Sequence, residues 1–222
     1  MNILVLSGEQ AVGPGLSGGK SYVGQMVRRL RADHPTVRVD QYAPLTLAEA
    51  GPLLSRLRLH QYAVILIQLG DAELAALSCQ QGMPWWRGLL TRMNLSLRGN
   101  RTARLRALRQ QVATVLMLVQ PYRRHTLLLS PLPQRRPAPE PLQRLTRRLF
   151  AQEAQLWAVP CVDTGALLGT DTEFFQPNST TDLSALAHEV LGSELHTLIS
   201  ERDEAASLPA PTVSGWRRLF HS

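Results

Sequence analysis

The stretch MNILVLSGEQAVGPGLSGGKSY, Met1 to Tyr22, decides the fold. Ile3-Leu4-Val5-Leu6 is a short apolar run of the length that a fully buried parallel strand requires. A loop punctuated by Gly8, Gly13, Gly15, Gly18 and Gly19 follows. Beyond it, Val23, Met26, Val27 and Leu30 recur at helical spacing on one face, with Arg28, Arg29 and Arg31 on the other. Strand, glycine-rich loop and helix in succession open an α/β sheet, and such sheets bind ligands beyond the carboxyl ends of their strands. Function is therefore expected in the loop over residues 7–20.

Outward from this unit the same alternation continues. Strands are expected over residues 36–40 (TVRVD), 62–69 (YAVILIQL), 126–130 (TLLLS) and 159–163 (VPCVD). Helical patterns lie within 44–60 and over 101–119, 142–157 and about 182–200, while 74–100 is irregular or helical around Pro84-Trp85-Trp86. Five strands separated by helices imply one α/β domain with a parallel sheet, right-handed crossovers and helices on both faces. Residues 62–69, apolar on both faces, belong at the sheet centre, and 36–40 at an edge. The domain is expected to span 1–202, with 203–222, rich in Ala, Ser and Pro, as a flexible tail.

Composition narrows the classes. At 222 residues and 44% hydrophobic content, one sizeable core is expected, and no apolar run approaches the roughly 20 residues of a membrane span. No basic segment precedes the first apolar run, which reads as a strand of a cytoplasmic protein. Cys79 and Cys161 match no metal spacing and read as reduced structural thiols. His34, His60, His125, His196 and His221 show no ligand spacing, and neither a metal nor a cofactor is expected. The net charge of +7 is uneven: eleven arginines and no acid fall between Glu73 and Glu140, so the rest of the chain is net negative. This arginine-rich block, 87–136, is a candidate surface for an acidic protein or polyanion, with Arg101, Arg104 and Arg109 on one helical stripe; the plain alternative is a solvated helix face.

Two readings of the glycine loop compete. Gly13 to Ser21 (GPGLSGGKS) follows a strand and opens a helix, as a phosphate-binding loop does. That motif needs four residues between its first glycine and Gly-Lys-Ser/Thr, and the required glycine falls on Pro14, which has no amide to give. Taken along the whole chain, the blocks resemble the SGNH (GDSL-type) hydrolases. The segment from Ser7 to Gly15 is similar to that family's Gly-Asp-Ser block, anchored by Gly13 and Gly15. Residues 65–74 (ILIQLGDAEL) resemble its Gly-x-Asn-Asp block, 127–133 (LLLSPLP) its Pro-x-Pro strand end, and 174–188 its final Asp-x-x-His block. The resemblance implies a flavodoxin-like three-layer α/β/α sandwich with a five-stranded parallel sheet in the order 2-1-3-4-5.

It also implies that the catalytic set is gone. The serine position falls on Glu9, the oxyanion glycine near Pro44, the oxyanion asparagine on Ala72, the general-base histidine on Asp182 and its orienting aspartate on Ser179 or, one residue earlier, Asn178. His188 matches a family histidine outside the triad. Shifting the first block by one puts Gln10 on the serine but misaligns Gly13 and Gly15. Acyl transfer needs a nucleophile beside a base and donors aimed at the oxyanion. The expectation is a non-catalytic binding or scaffold protein, with Glu9, Asp71 and Asp182 converging at the sheet edge as ligand-binding candidates. The alternatives are an ester hydrolase using displaced residues and, after it, nucleotide binding by the Gly13–Ser21 loop.

Overall fold

The computed structural model describes residues 1–13, 16, 19–78, 96–135, 139–177, 179 and 181–207, without the side chains of 78, 96–101 and 204–207. Five strands, β1 (Asn2–Ser7), β2 (Arg38–Tyr42), β3 (Val64–Gln68), β4 (Thr126–Leu129) and β5 (Cys161–Val162), pair in parallel in the order β2-β1-β3-β4-β5. Ile3 sits between Val39 and Val64 in the ladder, and β3 is the central strand with every residue buried. The order, the parallel sense and the edge position of β2 are those the sequence implies.

Parallel strands present alternate residues to opposite faces, so an apolar run supplies two cores at once. Ile3, Val5, Val64, Leu66, Leu127 and Leu129 pack on one face beneath α1 (Tyr22–Asp33) and the last helix, α7 (Ala185–Ser207). Leu4, Leu6, Ile65, Ile67 and Leu128 pack on the other beneath α2 (Leu47–Leu54), α4 (Ser96–Val119) and α5 (Glu140–Leu156). Two short helices, α3 (Asp71–Ser78) and α6 (Thr164–Leu168), follow β3 and β5 directly. Gly192 lets α7 press against α1, since a Cβ there would stand 2.5 Å from the Gln25 Cβ and 2.9 Å from the Tyr22 carbonyl.

Local chemistry fixes the helix starts near the site. The Ser21 hydroxyl accepts from the Gly24 amide, and Thr46 and Glu49 form a reciprocal capping box on α2. Some boundaries differ from those expected. The expected strand over 36–40 lies two residues later because Asn2 pairs with Arg38, leaving Thr36 and Val37 outside the ladder. The expected strand over 159–163 shrinks to Cys161 and Val162, the residues that pair with Leu128 and Leu129 of β4. The last helix runs to Ser207 rather than about 200. Pro84-Trp85-Trp86, Cys79 and residues 208–222 lie outside the described residues. Cys161 is an unpaired thiol whose pKa is pushed up to about 11, by burial first and by Asp163 second, which keeps it protonated and inert. Among the described residues no helix is long and apolar enough to cross a membrane.

Candidate functional site

The chain runs from β1 to β2 on one side and returns across β1 to β3, so the carboxyl ends of β1 and β3 flank the point where the strand order reverses. A cavity of about 490 Å³ opens there. Gly8, Glu9 and Gln10 after β1 line it, with Pro44, Leu45, Thr46 and Glu49 after β2. Asp71, Ala72 and Ala75 after β3, Gln134 beyond β4, and Thr181 and Asp182 before α7 complete the wall. The fold thus gathers five positions singled out in the sequence, Glu9, Pro44, Asp71, Ala72 and Asp182, around one space.

Their partners define what that space holds. Glu9 is exposed, and no described side chain bonds to its carboxylate. Asp182 is reached by Gln10, whose Nε2 donates to Oδ1 at 3.1 Å, while Gln10 Oε1 accepts from the Leu183 amide at 3.4 Å. Gln10, not Glu9, is therefore the side chain in contact with the expected base position. Sequence reasoning set Gln10 aside because the register that favours it breaks the Gly13 and Gly15 match. Ser179 does not line the cavity; its hydroxyl accepts from the Thr181 and Asp182 amides at 3.2 and 2.8 Å and folds that turn. The alternative position, Asn178, lies outside the described residues. Pro44 has no amide to offer, and the next one along, Leu45, is bonded to the Ser7 carbonyl at 2.9 Å.

Beneath the cavity runs a buried polar chain that the sequence did not reveal. Asp71 accepts from Gln68 Nε2 at 2.7 Å and from the Leu132 amide at 2.8 Å. Gln68 Oε1 accepts from the Tyr22 hydroxyl at 3.2 Å, and the Tyr22 amide donates to His188 Nδ1 at 3.0 Å. The Tyr22 and His188 rings stack at 5.9 Å. Burial lifts the Asp71 carboxyl to about 6, against the lowering pull of the Gln68 and Leu132 hydrogen bonds, and Glu73 adds to the rise. Burial also lowers His188 to about 4, holding the ring neutral. Gly70 aims this turn: its φ of +107° suits glycine alone, and a Cβ would stand 2.6 Å from the Phe150 ring.

The other candidates lie elsewhere. In the glycine loop Gly13 and Gly19 take positive φ and Lys20 is exposed, but neither glycine nor Lys20 lines the cavity; Pro14, Gly15, Ser17 and Gly18 lie outside the described residues. Of the arginine stripe, Arg101 has no described side chain, and Arg104 donates to the Ala76 carbonyl at 3.4 Å. Arg109 does not stand free as the sequence suggested, because Glu153 from α5, only 3% exposed, pairs with it. Arg87, Arg92 and Arg136 lie outside the described residues. No three described His, Cys, Asp or Glu side chains come together as a metal site.

Five parallel strands in this order, helices on both faces and a cavity at the carboxyl ends of β1 and β3 constitute the α/β/α fold of the SGNH (GDSL-type) hydrolases. No protein-family model and no curated protein matches the sequence. Among solved structures, the chain is similar to a lipase/acylhydrolase from Enterococcus faecalis, at 16% identity and a TM-score of 0.63 over 90% of this chain and 96% of that one. It is likewise similar to a psychrotrophic esterase from Pseudoalteromonas, at 15% identity and a TM-score of 0.61 over 91% and 98% of the two chains. An acetyl xylan esterase from Geobacillus stearothermophilus matches at 15% identity and a TM-score of 0.61 over 89% and 94%. At these identities the likeness is one of fold.

Proposed function

We propose that this chain is a pseudoenzyme on the SGNH fold, a cytoplasmic protein that binds a small ligand in the cavity instead of hydrolysing an ester. The observation that carries this is the Gln10–Asp182 hydrogen bond at the place where a nucleophile would meet its base. A primary amide is a poor nucleophile, and a carboxylate that accepts its N–H has no hydroxyl to activate. Among the described residues, histidine ring nitrogens bond only to the Tyr22 amide, the Ala63 carbonyl and the carboxylates of Asp33 and Asp203, never to Ser, Thr or Cys. The oxyanion side is equally bare, with Ala72 lacking an amide side chain and both Pro44 and Leu45 without a free N–H. Loss of one oxyanion donor already costs about 10²–10³ in rate. The unpaired Cys161 thiol accords with a reducing compartment.

The test is a fluorophosphonate probe together with a panel of short acyl esters on the purified chain, with Glu9→Ala as the control. No labelled serine and no hydrolysis above background are expected, with Glu9→Ala indistinguishable from wild type. A labelled serine mapping to the cavity, or turnover abolished by Glu9→Ala, would refute the reading.

A further inference from the structure

We propose that the amino-terminal edge of the sheet, the end of the molecule away from the cavity, is a docking surface for an anionic lipid bilayer. The inference is independent of what the cavity binds.

Three connections bring arginine to that edge. Arg38 opens β2, Arg56 and Arg58 lie between α2 and β3, and Arg123 and Arg124 lie between α4 and β4. Backbone hydrogen bonds tie these segments together. The Arg38 amide donates to the Met1 carbonyl at 3.0 Å and the Ala63 amide to the Asn2 carbonyl at 2.9 Å. The His125 carbonyl accepts from the Ile65 amide at 2.7 Å, which sets Arg123 and Arg124 beside the start of β3. From β2 across β1 and β3 to β4 is three strand spacings, about 14 Å.

The five guanidinium groups are left open. None takes part in an ion pair among the described residues; Arg123 is half-buried and the other four are exposed. Asp40, the acid of β2, accepts from the Tyr62 hydroxyl at 2.7 Å. On the opposite layer His196 and His34 engage Asp33 and Asp203, and Arg31 and Glu201 offset each other in charge. The other end of the molecule is acidic, with Glu9, Glu49, Asp71 and Asp182 lining the cavity. Such a field turns the basic edge toward an anionic surface and the cavity away from it.

Charge alone does not select a bilayer, but apolar side chains at the same edge do. Leu156, the last residue of α5, is 69% exposed, and Met117, in the last turn of α4, is 52% exposed. Single exposed apolar residues are ordinary on a protein surface, whereas these two stand where both helices end at the arginine edge. The last helix delivers the chain to the same place, since Arg202 on α7 donates to the carbonyl of Thr126, the first residue of β4, at 3.1 Å. Residues 208–222 follow, outside the described residues, and their sequence contains Trp216-Arg217-Arg218-Leu219-Phe220. Tryptophan, leucine and phenylalanine interleaved with arginine are the composition that favours a bilayer interface. A nucleic acid would draw on the same arginines, yet its phosphates gain nothing from Leu156 and Met117. The rings of this edge, Tyr122 and Trp157, are half-buried against the core and not offered to a base.

The experiment is flotation of the full chain with vesicles of phosphatidylcholine alone and of phosphatidylcholine with an equal part of phosphatidylserine, at about 50 and about 300 mM salt. A single-stranded oligonucleotide is titrated in the same buffers. Binding is expected to the anionic vesicles and not to the neutral ones, weaker at the higher salt. Arg58→Ser, Arg123→Ser and Arg124→Ser together should weaken it on the order of a hundredfold. Met117→Ser with Leu156→Ser, or Trp216→Ser with Phe220→Ser, should weaken it about tenfold. Arg148→Ser, on the exposed face of α5 about two turns before Leu156, should not change it. Circular dichroism checks that each variant is folded. Absence of binding by folded wild type to the anionic vesicles overturns the inference. So does an oligonucleotide bound more tightly than those vesicles, or vesicle binding that neither apolar pair affects, because either makes the edge a plain polyanion contact. A loss in Arg148→Ser equal to that of the triple variant would place the surface elsewhere and overturn it too.

Discussion

Asp71→Asn should stabilise the protein at neutral and alkaline pH and destabilise it slightly at acid pH. The unfolded chain gives up this proton near 3.8, the folded chain only near 6. Over that window the folded state binds more protons, so the Asp71 contribution to stability is fully present below about 3.8 and is lost as pH rises through about 6. The difference of about 2.2 units corresponds to about 3 kcal/mol, an upper bound because the residue still borders the cavity. Asparagine keeps an acceptor for the Leu132 amide but meets Gln68 Nε2 with a second N–H, which forfeits about 1 kcal/mol. The net expectation is a gain of about 2 kcal/mol at pH 8 and a loss of about 1 kcal/mol at pH 4. In Tm this is about 4–8 °C upward at pH 8 for a chain of this size. Wild-type stability alone will not display the effect, since His188, lowered to about 4, loses its contribution in the opposite direction as pH falls below about 6.5. Subtracting the wild-type curve from that of the variant cancels His188 and the surface groups. The assay is urea unfolding of both proteins at pH 4, 5, 6, 7 and 8. A difference that stays constant across this range, or that favours the variant most at pH 4, would show the reasoning wrong.

Two other perturbations bear on the fold and the arginine block. Arg109→Ser should lower stability by about 1–3 kcal/mol, because it strands the buried Glu153 carboxylate, and should leave the salt at which the protein elutes from heparin unchanged; a large drop in elution salt with unaltered Tm would return Arg109 to the role of a free polyanion contact. Gly192→Ala should cost about 1–3 kcal/mol in chemical unfolding by forcing α7 away from α1, where its Cβ would meet the Tyr22 carbonyl at 2.9 Å; a variant as stable as wild type would mean that the two helices are not held at that separation.

What the sequence by itself determined is what local pattern can carry. The run Ile3-Leu4-Val5-Leu6 is buried on both faces, so its composition alone reported a parallel strand covered by helices on either side. The same logic put β3 at the centre and the 36–40 run, broken by Arg38 and Asp40, at the edge where β2 lies. Glu9, Pro44, Ala72 and Asp182 were singled out by the SGNH resemblance and not by pattern; they and Asp71 line one cavity because the loops after β1, β2 and β3 leave the same edge of the parallel sheet and the segment before α7 folds over it. What only the tertiary structure decided is which of them touch, and what touches them. Gln10 and Asp182 lie 172 residues apart, Asp71 and the Leu132 amide 61, and Arg109 and Glu153 44. Periodicity records which way a side chain faces within its own element, and it carries no information on the partner that another element brings to it. Gln134 is the sharpest case. A glutamine in a Pro/Arg loop reads as solvated, and only the clasp of Gln143 and the packing of α5 over that loop make it a buried acceptor on the cavity wall.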